Sequence, residues 1–272
     1  MTPTTTGTPD LHQYDVVLLS SSAGKDSQAM VDAVVRLADS VGYPRARLVV
    51  VHADLGRVEW SGTRELAHTQ AAHYGLRIEV VSRPQGDLLS HVEARGKWPS
   101  SAQRYCTSDH KRAQCAKVVT ALHRDALAAG HSGTYRVLEC HGLRAQESPA
   151  RAKKAPFARN ERLSTAARAV DTWLPIHGWS VEQVWATIKA SGCPHHRAYD
   201  LGMPRLSCVF CIFSPKAALL LAGQHNPALL DAYVAVEDKI GHLFRHKFSL
   251  RVLRNELRAG ACSSEPVTDW AM

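Results

Sequence analysis

The sequence predicts an α/β fold: a doubly wound, mostly parallel, Rossmann-like sheet with a helical C-terminal extension. Three observations lead there. Short Val/Leu-rich runs alternate with stretches of helical period over the first two thirds of the chain. The first two hold unbroken apolar stretches, VVLL and LVVV, as expected of strands covered on both faces. The last third drops the alternation and reads as helices around one irregular stretch.

The elements follow in order. Asp15–Ser20 (DVVLLS) is the first strand. Lys25–Ser40 is a helix, with Met30, Val34, Leu37 and Val41 on one face. Arg47–Asp54 (RLVVVHAD) is a second strand, Gly62–Tyr74 a second helix and Leu76–Val81 a third strand. Arg104–Ala129 reads as one long helix, Tyr135–Cys140 as a strand and Asp171–Pro175 as a short strand. Val181–Ser191 is helical, and after an irregular run to Phe213 come helices over Pro215–Gln224 and Pro227–Phe248. Strands joined by helices in this way imply right-handed crossovers, with ligands bound beyond the strands' carboxyl ends.

Composition sets the outer limits. With 45% apolar and 21% charged residues in 272, the chain is neither disordered nor fibrous. A chain of this size buries about 75% of its unfolded surface, so it needs no disulfide or metal merely to fold. No apolar run approaches the roughly 18 residues of a membrane span. The Thr/Pro-rich start has no basic, apolar signal-peptide pattern. Seven cysteines, an odd number, argue against a disulfide framework. A cytoplasmic chain with free thiols or metal ligands is expected. The formal charge of +8 suggests an anionic partner, a nucleotide or a nucleic acid.

The segment between the first strand and first helix is Ser20-Ser21-Ser22-Ala23-Gly24-Lys25-Asp26-Ser27. It stands where a phosphate meets a helix N-terminus. It is not a Walker A loop: Leu19 stands five before Gly24, and Asp26 replaces the required Ser/Thr. Gly24 permits close backbone approach, while Ser22 and Ser27 can donate to phosphate oxygens. An ordinary serine-capped helix is the plainer alternative. The S-x-G-x-D-S pattern resembles the pyrophosphate loop (PP loop) of the ATP pyrophosphatases, the adenine nucleotide alpha hydrolase-like superfamily. That resemblance implies ATP with Mg²⁺, contacted by Ser20, Ser22, Ala23, Gly24, Lys25, Asp26 and Ser27. Asp26 then helps hold Mg²⁺ or shapes the loop. His52 and Asp54, ending the second strand, would lie against the adenosine; Asp54 also suits a plain turn.

Three further segments resemble the phosphoadenosine phosphosulfate (PAPS) reductase-like branch. Arg104-Tyr105-Cys106-Thr107 with Lys111 matches its R-x-C-T-x-x-x-K element. Gly142, Arg144, Glu147 and Ser148 match G-x-R-x-x-E-S. Trp173-Leu174-Pro175-Ile176, Trp179, Trp185, Gly192 and Tyr199 lead to Cys208-x-x-Cys211. The resemblance covers residues 14–214, in order. It implies that Gly142, Arg144 and Glu147 join the nucleotide site, with Arg144 placed for bidentate contact to phosphate or sulfonate. Lys25, Asp26 and Arg144 become the candidate catalytic residues. The domain plan is then a tail over 1–13 expected to be disordered, a PP-loop core over 14–178, and a cysteine-bearing helical extension of the same domain over 179–272.

Family reductases with an iron–sulfur cluster use a tandem cysteine pair plus a late C-x-x-C. Here the tandem is Tyr105-Cys106, so Cys193 is the natural substitute. The expected set is a 4Fe–4S cluster on Cys106, Cys193, Cys208 and Cys211. Tetrahedral zinc, or a redox dithiol with no metal, stay open. Cys115 should face elsewhere on its helix, and Cys140 should be core. The family's nucleophilic E-C-G-x-H-like tail is poorly matched by Ala261-Cys262-Ser263-Ser264-Glu265-Pro266, which weakens sulfite release.

Arg144–Arg168 holds seven basic and two acidic residues, a net +5 of the chain's +8. A mobile clamp on a polyanion is one reading, a solvated surface loop the other. His195-His196 read as ordinary polar loop histidines, with cluster neighbours or proton carriers as the other reading. The resemblance implies adenylation of an acceptor, release of pyrophosphate and sulfur transfer. Members of this look include sulfurtransferases of the DNA phosphorothioation type. The partners envisaged are an anionic acceptor such as DNA or RNA, a sulfur donor such as a cysteine desulfurase, and a second copy in a homodimer. The alternatives are a phosphoadenosine or adenosine phosphosulfate reductase and a non-catalytic nucleotide-binding subunit.

Overall fold

The computed structural model describes residues 7–262 and residue 267. Six strands form one sheet: β1 (Val16–Ser21), β2 (Leu48–Ala53), β3 (Arg77–Val81), β4 (Tyr135–His141), β5 (Phe157–Arg159) and β6 (Arg168–Trp173). The helices are α1 (Lys25–Ser40), α2 (Thr63–His73), α3 (Leu88–Arg95), α4 (Tyr105–Thr107), α5 (Ala113–Ala128), α6 (Pro149–Ala152), α7 (Val181–Ser191), α8 (Lys216–His225), α9 (Pro227–Ile240) and α10 (Leu250–Arg258). The sheet order is β3-β2-β1-β4-β6-β5. β1 runs parallel to β2 and β4, and β4 parallel to β6; β5 is an antiparallel edge. This is the predicted mostly parallel Rossmann-like sheet, with helices at the C-terminus. Among the described residues no helix is long and apolar enough to cross a membrane.

The chain divides into two compact units. The first comprises the described residues up to His52, Arg64–Val81 and Cys115–His195. The second comprises Ala53–Thr63, Ser82–Gln114 and the described residues from His196. Each has its own apolar core. In the first unit, Leu19, Leu138 and Cys140 pack with Met30 and Val34 of α1 on one sheet face. On the other face, Val16, Leu18, Val49, Val51 and Val137 pack with Val118 and Val119 of α5. In the second unit, Trp98, Phe210, Tyr233 and Phe244 sit among Leu55, Leu89, Leu219 and Leu253.

Three local departures have clear causes. Leu11–Gln13 is a 3₁₀ turn capped by Asp10, and Leu11 is buried, so the ordered chain starts inside the expected tail; residues 1–6 lie outside those described. The long helix over 104–129 is interrupted by a π turn at Ser108–Arg112. The expected final helix ends at Ile240 rather than Phe248 and a further helix, α10, follows it; between them Glu237 turns back to accept from Phe244 N at 2.7 Å, Leu250 N at 3.3 Å and the Ser249 hydroxyl at 2.6 Å. Gly241 closes α9 in the left-handed conformation, which only glycine adopts cheaply.

Candidate functional site

The first unit brings the β1–α1 loop against the end of β4. β1 ends at Ser21 and α1 begins at Lys25, with Gly24 as a cap that offers no side chain. First-turn N–H groups have no acceptor within a helix, so this end suits an anion. Ala23 adopts a left-handed conformation (φ 56°), a costly choice for a residue with a Cβ. Such a residue folds successive N–H groups into an anion-binding concavity. The loop is braced from within: Ser27 Oγ donates to Gly24 O at 2.9 Å and accepts from Ser22 N at 3.2 Å. Ser21 Oγ accepts from Ala23 N at 3.1 Å. The serines thus shape the loop rather than cap the helix.

Three charges meet here. Lys25 Nζ lies 3.3 Å from Asp26 Oδ2, and Arg144 Nε lies 2.5 Å from Asp26 Oδ1. The Lys25 and Arg144 side chains are each 2% exposed. Two buried cations on one carboxylate leave a net positive charge beside an uncapped helix end. Arg144 also donates to Gln146 Oε1 at 2.7 Å. It is therefore a strut of the loop, not an open phosphate fork. Asp26 is committed to two cations and is poorly placed to take a Mg²⁺ as well. Glu147 accepts from Arg144 N at 2.9 Å and pairs with Arg151, which accounts for its carboxylate without a metal.

Gly142 is needed for this approach. A Cβ there would stand 2.5 Å from Asp26 O and 2.8 Å from Ser27 N, both backbone atoms. His52 is buried, with Nδ1 3.1 Å from Ser21 O, and ties the end of β2 to that of β1. Asp54 falls in the second unit, where its Oδ1 accepts from Gly56 N at 2.8 Å, the turn role.

The basic segment is not one mobile clamp. It contains α6 and β5, and internal pairing takes up much of its charge. Arg159 reaches Asp171 at 3.2 Å, and Arg168 Nε donates to Leu163 O at 3.0 Å. Lys153, Lys154 and Arg162 stay exposed. One residue at this edge escaped the sequence reading: His141, the last residue of β4, in register with Ser20. No motif marks it; only strand pairing brings it to the loop.

The cysteines divide between the units. Cys106, Cys208 and Cys211 lie in the second, where Cys106 and Cys211 both raise the Cys208 thiol and Cys106 raises that of Cys211. Burial pushes the Cys208 and Cys211 thiols up; Lys111 pulls both down, and Arg104 pulls down Cys211. Cys193 belongs to the first unit, buried among Ile188, Val184 and Val35. Its thiol is raised by burial, and Gln28 Nε2 donates to its carbonyl oxygen at 2.9 Å. Cys140 is fully buried core, as expected, and Cys115 packs under the sheet with Val118. Cys262 is exposed; the tail residues 263–266 that would test a nucleophile motif lie outside those described. Among the described residues no three His, Cys, Asp or Glu side chains are gathered closely enough to hold a metal ion.

Comparison with known proteins places this geometry. The phosphoadenosine phosphosulfate reductase domain model matches residues 16–213. The chain belongs to that family. An adenosine 5′-phosphosulfate reductase of Neisseria meningitidis is 29% identical over 70% of this chain and 71% of its own length. A 37.8 kDa protein of Escherichia phage 186 is 30% identical over 57% of this chain, which spans only 43% of that protein. A solved PAPS reductase from Candida auris aligns over 73% of this chain and 83% of its own, at 17% identity and a TM-score of 0.46.

Proposed function

We propose that this member of the PAPS reductase family is a PP-loop ATP pyrophosphatase that activates an acceptor by adenylation for sulfur transfer. One observation carries the reading: the buried Lys25–Asp26–Arg144 triad, net positive, at the uncapped start of α1. A leaving pyrophosphate is the anion such a site stabilises best, because charge builds on it as the Pα–O bond breaks. Mg²⁺ would travel with the nucleotide's own phosphates, since Asp26 already serves two cations. Gly142 and Ser27 hold the loop at its working distance.

The second unit suits a thiolate-bound group. Cys106, Cys208 and Cys211 are partly buried in one unit, and Lys111 and Arg104 there oppose the burial that raises the Cys208 and Cys211 thiols. A 4Fe–4S cluster, or zinc, on those three would require the thiols to draw closer together than they stand. Cys193 drops out of our ligand set because its thiol packs in the core of the first unit. When bound, a cluster would supply a soft site for sulfur. The acceptor class we favour is a nucleic acid, for which Lys153, Lys154 and Arg162 leave uncommitted positive charge.

Anaerobically prepared protein incubated with α-labelled ATP and Mg²⁺ should form AMP and pyrophosphate, and Asp26→Ala should not. Failure to release either product with DNA, RNA or water as acceptor would overturn the reading. One observation favours a second reading: Cys262 is free and exposed, as a reductase nucleophile must be. That reading requires thioredoxin-dependent sulfite release that is lost in Cys262→Ser.

A further inference from the structure

His141 is used by nothing described so far. It ends β4 and pairs in register with Ser20, the first residue of the phosphate loop. The next residue, Gly142, touches the Asp26 and Ser27 backbone. Strand alternation sets its direction. Leu138 and Cys140 point to the α1 face, while Tyr135 and Val137 point to the α5 face, so His141 extends the latter. It is partly buried there, and its ring has no hydrogen-bond partner among the described residues.

Its neighbours are countable. On β4 itself Glu139 lies two residues back, held by Asn160 Nδ2 at 2.7 Å. From the connection after α6, Lys154 acts on the ring. The loop's Lys25 and Asp26 are locked together with Arg144, and none of the three is among the charges that act on the ring. α5 offers the apolar Val118 and Val119 to this face. Three other titratable groups at this edge are occupied. Asp26 has two cations, Glu147 has Arg151, and His52 faces Ser21 O.

We propose that His141 is the base of the reaction, accepting the proton of the attacking acceptor beside the phosphate loop. The inference rests on the pyrophosphatase reading above. As the acceptor oxygen bonds to Pα, its O–H bond breaks and the proton passes to a ring nitrogen of His141. The bridging Pα–O bond breaks in the same displacement, and its electron pair leaves with pyrophosphate. The protonated ring then returns its proton to water. Burial, helped by Lys154, pulls the empty-site ring down to about 4, so it is neutral and able to accept. A base that weak becomes effective only when nucleotide phosphates bring negative charge next to it. His141 is thus switched on by its own substrate.

Two measurements test this. The first follows histidine ring signals by NMR in the wild type, with His141 identified by the signal missing from His141→Gln. Inorganic pyrophosphate should raise the ring's pKa by about one unit or more, and Lys154→Gln should raise it without ligand. A ring that does not respond while pyrophosphate binds would overturn the proposal. The second compares AMP formation. His141→Gln should lose about 100-fold in rate and bind pyrophosphate within about twofold of wild type. Activity within about threefold of wild type would overturn the proposal, as would a loss confined to pyrophosphate affinity. If wild-type protein binds no pyrophosphate at all, the phosphate-loop reading itself fails, an outcome distinct from an unresponsive ring.

Discussion

Replacing Asp26 with Asn should unmask the charge stored in the loop. The carboxylate lies 2.5 Å from Arg144 Nε and 3.3 Å from Lys25 Nζ, with both cations 2% exposed. Asparagine keeps the size and removes the charge, leaving two buried cations facing each other. Breaking a buried pair in this way costs about 3–5 kcal/mol, chiefly as uncompensated desolvation. Asp26 itself is 16% exposed, so some water reaches the site and the lower end applies. Urea unfolding at neutral pH should show a loss of about 3 kcal/mol. The same variant should gain more from pyrophosphate than wild type does, because the anion now replaces the missing charge. Binding to the native state stabilises by RT ln(1 + [L]/Kd), so at a fixed concentration the gap between the two proteins should narrow. A loss under about 1 kcal/mol would show that the triad is screened as a surface pair. Equal pyrophosphate gains in the two proteins would show that the cations do not face the anion.

Other outcomes follow from the same geometry. Gly142→Ala puts a Cβ 2.5 Å from Asp26 O, so β4 and α1 must separate; calorimetry should show about 1–3 kcal/mol of lost stability, with weaker pyrophosphate binding. His110 is buried and bonded to His91 at 3.0 Å, and burial pulls it down to about 4. The unfolded chain, with a histidine near 6.5, then takes up the proton first. Stability from this residue is complete above the unfolded value and is lost as pH falls from there toward 4. Urea midpoints should record about 2 kcal/mol less at pH 4.5 than at pH 7, and His110→Gln should flatten that slope. Cys208→Ser should abolish bound iron or zinc measured by elemental analysis, whereas Cys193→Ala should retain it.

The strands and the first helix were legible because their chemistry is local. An unbroken apolar run such as Leu48–Val51 can only be a strand covered on both faces, and α1 was read to its terminal residues. The loop motif was equally legible, since Gly24 and its serines are contiguous. β5 was missed because a three-residue edge strand has too little pattern to register. The helix over 104–129 was drawn as one because its winding is continuous from Tyr105 to Ala128, and the single widened turn at Ser108–Arg112 has no compositional mark.

By itself, the sequence determined the mostly parallel α/β architecture, the family, and the position of the β1–α1 loop. Tertiary structure alone decided what the charged residues do there. Arg144 read as a phosphate fork, yet it is spent on Asp26, 118 positions away along the chain. Cys193 read as a ligand, yet it packs in the core of the first unit. His141 carried no motif, yet strand register sets it beside Ser20. Periodicity is a property of neighbours in the chain, whereas ion pairing and burial belong to neighbours in space. The second kind is set only when the strands have paired.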